Sequence, residues 1–181
     1  MPFSKENTYT TDYIYSLPEG QRAELIDGVI YVMAPPNRLH QELVMNLSAE
    51  IREYIRKNNG FCKVYPAPFA VNLDADDKVY VEPDISVICD KSKIDNRGCN
   101  GAPDFIIEIV SLSSRKMDYT TKNALYSDAG VREYWIVDPE KQRTTIYRYE
   151  EDVAPMTLPF QQNITVGIYS DLNINIAELL K

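Results

Sequence analysis

The sequence is poor in the residues that build metal cages and membrane spans. It has one histidine, His40, and three cysteines, Cys62, Cys89 and Cys99, with no Cys-x-x-Cys pair. That leaves too few close-set ligands for a structural zinc site, and the cysteines are expected as three reduced thiols. No apolar run approaches the ~20 residues that cross a bilayer. Residues 1–7 lack the apolar core of a secretory signal, so a cytoplasmic location without a membrane partner is expected. Basic residues are scarce as well: 19 Lys and Arg face 27 Asp and Glu in 181 residues, a net charge of −8. This argues against avid, nonspecific nucleic-acid binding, which depends on neutralising phosphates. An enzyme that guides a strand with a local basic patch remains compatible with it.

What is present is an ordinary globular composition, 44% hydrophobic and 25% charged. It suffices for one domain with a real core, and no repeat or linker divides the chain. Residues 1–11 are polar and read as loose, and residues 13–17 as a short helical turn ended by Pro18-Glu19-Gly20. Two apolar runs flank Asp27-Gly28, a strong hairpin signal. From residue 39 to 58 the period becomes helical: Leu43, Leu47, Ile51, Tyr54 and Ile55 on one side, charges on the other, with Asn58-Asn59-Gly60 as the stop. Residues 61–73 form one strand or a bent pair, broken by Pro66 and Pro68. A turn over 74–78 leads to a strand over 79–89 and a loop over 90–103. Residues 104–112 are a continuous apolar run of strand length, as a buried central strand requires. A helix capped by Ser113 or Ser114 runs to Asp128 or Ala129, with Gly130 at its end. Residues 131–137 make another buried strand with 144–149 as its hairpin partner. An acidic loop over 150–163, a last strand over 164–169 and a helical turn over 176–180 complete the chain.

One residue in the run 104–112 does not serve packing. Side chains alternate along a strand, so Ile106, Glu108 and Val110 share a face, and Glu108 sits mid-strand with apolar neighbours on both sides. A carboxylate there needs a cation, a proton or a metal, and pairing with Arg132 or Lys122 is the purely structural solution. Asp84 lies 24 positions earlier in the preceding strand. If the strands are neighbours, the two acids converge, and paired carboxylate oxygens suit a hard divalent cation. Glu82 shares the face of Asp84, as an extra ligand or a surface residue. Lys122, on the helix after the Glu108 strand, lies at helical spacing from Asp118, Leu125 and Ala129. It sits beside the apolar stripe, where an exposed salt bridge with Asp118 is the bland alternative. The tyrosines are dispersed through strands and read as packing residues, as does Trp135.

Several ordered blocks together resemble the Uma2 family (DUF820) of restriction endonuclease-like proteins. They are Glu24-Leu25-Ile26-Asp27-Gly28, then Ala34-Pro35-Pro36 followed by His40, and Pro83-Asp84-Ile85. After these come Pro103 through Ser111, Asp118 through Tyr126, and Ala129 through Pro139. The resemblance covers roughly residues 12–150 and continues weakly to the C-terminus. It implies an α/β restriction endonuclease-like core of order αβββαβ: a mixed central sheet flanked by helices, with an N-terminal β-hairpin. The whole chain is then one domain, with the C-terminal strand and helical turn at 164–181. The superfamily motif PD-(D/E)xK is incomplete here, because its lysine position is Val110. The resemblance implies that the lysine has moved to the next helix, as Lys122.

The implied activity is Mg²⁺-dependent hydrolysis of phosphodiester bonds, with Mn²⁺ as a substitute cation and DNA as the substrate. Asp84, Glu108 and the backbone carbonyl of Ile109 are the implied metal ligands. Lys122 positions the attacking water or helps to deprotonate it, and Asp84, Glu108 and Lys122 are the catalytic set. Glu24 is either an accessory acid or a strand-end surface residue. His40 either contacts substrate phosphate or caps its helix. A homodimer would suit cleavage of both strands. The competing expectation is a catalytically silent scaffold of the same fold that binds nucleic acid or protein.

Overall fold

The computed structural model describes residues 8–74, 77–151 and 153–181. The N-terminal segment expected to be loose lies mostly outside them, as do Ala75 and Asp76 of the expected turn. A short helix, α1 (Thr11–Tyr15), precedes a hairpin of β1 (Ala23–Ile26) and β2 (Val29–Val32). Asp27 and Gly28 both take positive φ, 52° and 77°, as a two-residue turn between twisted strands requires. Then α2 (Arg38–Lys57) runs for 20 residues, its first turn capped by the Asn37 side chain. Six strands follow: β3 (Lys63–Pro66), β4 (Val71–Asn72), β5 (Tyr80–Val81), β6 (Ile85–Ile88), β7 (Cys99–Asn100) and β8 (Phe105–Ile109). A π-helical segment, Met117–Lys122, runs directly into α3 (Asn123–Ala129), which Gly130 ends at φ 89°. The chain closes with β9 (Glu133–Asp138), β10 (Arg143–Arg148), β11 (Met156–Pro159), β12 (Ile164–Thr165), β13 (Asn173–Ile174) and α4 (Ile176–Leu179).

The larger sheet has the order β11-β10-β9-β8-β6-β3, and the smaller one β2-β1-β5-β4-β7. In the larger sheet β8 and β9 are parallel, joined by the π-helical segment and α3, while the other pairs are antiparallel. Strand β8 divides the core. Phe105, Ile107 and Ile109 pack with Trp135 and with Leu43, Leu47 and Ile51 of α2. Ile106 and Val110 pack with Tyr126, Tyr134, Ile136 and the smaller sheet's Ile26 and Val81. Both faces of the strand are therefore covered by apolar side chains, which is why it reads as an unbroken apolar run. Glu108 belongs to the second face, between the larger sheet, α3 and the smaller sheet.

Several expectations need correction, and one is the loop over 90–103, which contains β7, paired with β4 in the smaller sheet. Residues 79–89 are not one strand: β5 pairs in the smaller sheet and β6 in the larger, with Pro83 between them. Proline has no N–H for a ladder, and the chain changes sheets there. The acidic loop over 150–163 contains β11, which extends the larger sheet beside β10. The helix after β8 is π-helical through its middle, a distortion without a sequence signal. Finally, Cys62 and Cys89 form a disulfide, and Cys99 is the free, buried thiol among the described residues. Lys63 faces Ile88 across β3 and β6, so the next pair outward is Cys62 and Cys89. Spacing along the chain gives no access to that register.

Candidate active site

The register of β6 and β8 brings the two central acids together. Ile85 pairs with Ile107, so one step further places Asp84 opposite Glu108, on the same face. The Asp84 N–H donates to Glu108 Oε2 at 3.4 Å, and the Ile109 N–H donates to Asp84 Oδ2 at 2.8 Å. The π-helical segment then brings Lys122 down onto the pair. Its Nζ donates to Glu108 Oε1 and to Glu24 Oε1, both at 2.9 Å, and lies 3.9 Å from Asp118 Oδ1. Glu24 arrives from β1 of the smaller sheet and also accepts the Glu82 N–H at 3.0 Å. His40, in the first turn of α2, places Nε2 3.1 Å from Asp84 Oδ2.

Each residue expected at the site is thus present at one locus. Lys122 and Glu24 are both 5% exposed or less, so neither the surface salt bridge nor the strand-end surface position describes them. His40 does not cap its helix: the Asn37 side chain does, accepting the His40 N–H, and the His40 ring touches Asp84 instead. Glu82 is not a surface residue either: it is buried, accepting from Arg22 Nε at 2.7 Å and from the Tyr80 hydroxyl at 3.0 Å. Two members were not anticipated. Asp118 is 2% exposed beside Lys122, and the Tyr126 hydroxyl donates to Glu108 Oε1 at 2.7 Å. Their signal is the spacing 118, 122, 126, which stacks an acid, a base and a tyrosine on one helix face.

The cluster has four carboxylates, Glu24, Asp84, Glu108 and Asp118, around one ammonium. Burial pushes Glu108 well above the ordinary carboxylate range; Lys122 opposes this, while Asp84, Asp118 and Glu24 add to it. Burial likewise raises Asp118 to about 6. For Lys122 burial acts the other way, but the charges of Glu108, Glu24 and Asp118 outweigh it and keep the amine protonated. Burial and the Glu108 charge raise Tyr126, which stays a donor. Four acids crowd one ammonium, and a cation at the site would favour their ionised forms.

The donor set fits a hard divalent ion. It consists of carboxylate oxygens without thiolates, since Cys99 lies in the apolar core. Among the described residues no three His, Cys, Asp or Glu side chains close on one point as a ready-made cage. Two carboxylates completed by water and substrate oxygens are the pattern that suits Mg²⁺. The acids and Lys122 line a cavity of about 490 Å³, together with His40, Ile109, and Tyr31 through Pro36.

The model of a family described as "Putative restriction endonuclease" matches residues 10–176. The chain belongs to the Uma2 family. An uncharacterized protein of Synechocystis sp. is 22% identical over 142 residues, spanning 78% of this chain and 73% of its own. The crystal structure of a protein from Anabaena variabilis, described as a putative nuclease belonging to DUF820, superimposes with a TM-score of 0.76. It is 22% identical and covers 94% of this Uma2 chain and 96% of its own, which shows a shared mixed α/β fold. Among the described residues of the Uma2 chain no helix is long and apolar enough to cross a membrane.

Proposed function

We propose that this Uma2 protein is a divalent-metal-dependent nuclease that hydrolyses phosphodiester bonds in DNA, with Mg²⁺ as its cofactor and Mn²⁺ as a substitute. The observation that carries the reading is the placement of Asp84 opposite Glu108, with Lys122 bonded to Glu108. Asp84, Glu108 and the Ile109 carbonyl would hold the cation. When bound, such an ion polarises the phosphate and lowers the pKa of water.

The protein's own groups do the positioning. His40 and the Ile109 N–H fix one oxygen of Asp84, leaving the other available. Lys122 and Tyr126 fix Oε1 of Glu108, while Oε2 takes the longer contact from the Asp84 N–H. Because its carboxylate neighbours keep Lys122 protonated, its part is to orient the attacking water and to stabilise negative charge on the phosphate. Glu24 and Asp118 hold the ammonium in place.

The test is cleavage of supercoiled plasmid and of oligonucleotides with Mg²⁺ or Mn²⁺. The wild type cuts, and Glu108→Ala and Lys122→Ala each lose activity by at least about 10²-fold. A wild type that cuts nothing across single-stranded, duplex and RNA substrates would mark a silent scaffold.

A further inference from the structure

The cavity over the acids has a wall for which the hydrolytic chemistry has no use. Tyr31 of β2 sits directly across from Glu24 of β1, so the two side chains share a face, and Met33 falls on the same side. Pro35 and Pro36 carry this lining on toward His40. Tyr31 is 36% exposed, an aromatic ring open to the cavity beside a buried acid.

The charged lining is as informative. Five carboxylates line the cavity: Glu24, Glu82, Asp84, Glu108 and Asp118. The basic side chains in it are all engaged, Arg22 by Glu82, Lys122 by Glu24 and Glu108, and His40 by Asp84. A duplex gripped by its backbone needs several free Lys or Arg groups aimed at phosphates. The lining supplies carboxylates, neutral groups such as Asn37, Gln41 and Ser111, and an apolar wall, with each basic side chain already paired. Base faces are the apolar part of a nucleic acid, and within a duplex they are stacked out of reach. An unpaired nucleotide exposes them, and aromatic side chains bind them with little regard to sequence.

We infer that the site takes an unpaired nucleotide: its substrate is single-stranded DNA, or an unpaired segment of a longer DNA, with a base against Tyr31 and Met33 and the adjoining phosphate at Asp84 and Glu108. This rests on the nuclease reading above and names its substrate class. With few phosphates neutralised by protein cations, binding depends weakly on salt, with a log–log slope near about −1 rather than the steep slope of backbone binders.

The test uses one labelled sequence in three forms, with Mn²⁺: single strand, blunt duplex, and duplex with a single-stranded overhang. The single strand is cut, the overhang is cut within its unpaired part, and the blunt duplex reacts at least about tenfold more slowly. Tyr31→Ala weakens binding and cutting of the single strand about tenfold, a loss in the range expected for one stacked base. Tyr31→Phe restores both, and Met33→Ala gives a smaller loss. The Mn²⁺-induced rise in melting temperature is the same in all three variants, which reports that fold and acids are intact. Equal or faster cutting of the blunt duplex overturns the inference while leaving the nuclease reading standing, as does an unchanged single-strand rate in Tyr31→Ala. Failure to cut any form overturns the nuclease reading and the inference with it.

Discussion

Two buried glutamates on adjacent strands of one sheet meet opposite fates. Glu133, at the start of β9, is 1% exposed, and Glu108, near the end of β8, is 4% exposed. Burial raises the pKa of both. Around Glu133 the donors are fixed and come from the protein frame: the Trp135 indole N–H at 2.7 Å and the Ile168 N–H at 3.1 Å, with Arg148 3.9 Å away. Gly167 closes over it so tightly that a Cβ there would lie 2.9 Å from Glu133 Oε2. This carboxylate ties the segment before β13 to the sheet and has no room for a guest. Glu108 instead faces a cavity, shares it with four more acids, and has an oxygen held by one long contact. A buried acid is thus assigned by where its second oxygen goes: into the frame for Glu133, toward open space for Glu108.

The contrast can be broken in several ways. The largest effect is expected from Lys122→Met, which leaves Glu24, Glu108 and Asp118 buried without their ammonium. Loss of one partner from such a set costs about 3–5 kcal/mol. Urea unfolding of the metal-free protein at pH 7.5 measures it, and added Mn²⁺ should recover part of the loss.

Glu133→Ala should cost about 2–3 kcal/mol, because it strands an indole N–H and backbone N–H groups. The Mn²⁺-induced gain in stability should be unchanged in this variant. If that gain vanished, the division between a frame acid and a site acid would fail.

A third effect comes from Asp118, whose folded pKa of about 6 lies above the ordinary 3.8. A raised acid contributes stability that is fully present below its unfolded pKa and is lost as pH rises through its folded one. The metal-free wild type should therefore lose stability relative to Asp118→Asn between pH 4 and 7, on the order of 2 kcal/mol. A parallel pair of stability-versus-pH curves would contradict the assignment.

The sequence was legible where one element decides the pattern. The Asp27-Gly28 hairpin, the amphipathic α2, the apolar β8 and the Gly130 stop each follow from local chemistry, and each stands where expected. Asp84, Glu108 and Lys122 were legible because a carboxylate inside an apolar strand demands a partner and the resemblance supplied the rest. What was hidden depends on register between distant strands. The β6–β8 register aligns Asp84 with Glu108, and the separate β3–β6 register sets Cys62 opposite Cys89 for the disulfide. Asp118 and Tyr126 were on view at i and i+8 around Lys122, but helical spacing alone cannot tell a buried face from a solvated one. Glu133 carried no warning either, since its donors come from residues 135 and 168.

The most direct measurement follows the melting temperature of the wild type and of Glu108→Gln as Mn²⁺ is added. A ligand that binds only the native state stabilises it by about 2.7 kcal/mol at a hundredfold excess over its dissociation constant. The wild type should rise steadily with Mn²⁺, while Glu108→Gln, which keeps the acceptor for Lys122 and Tyr126, should fold and stay flat. A Glu108→Gln protein that rises as the wild type does, or a wild type indifferent to Mn²⁺, would contradict a cation held at this pair of acids.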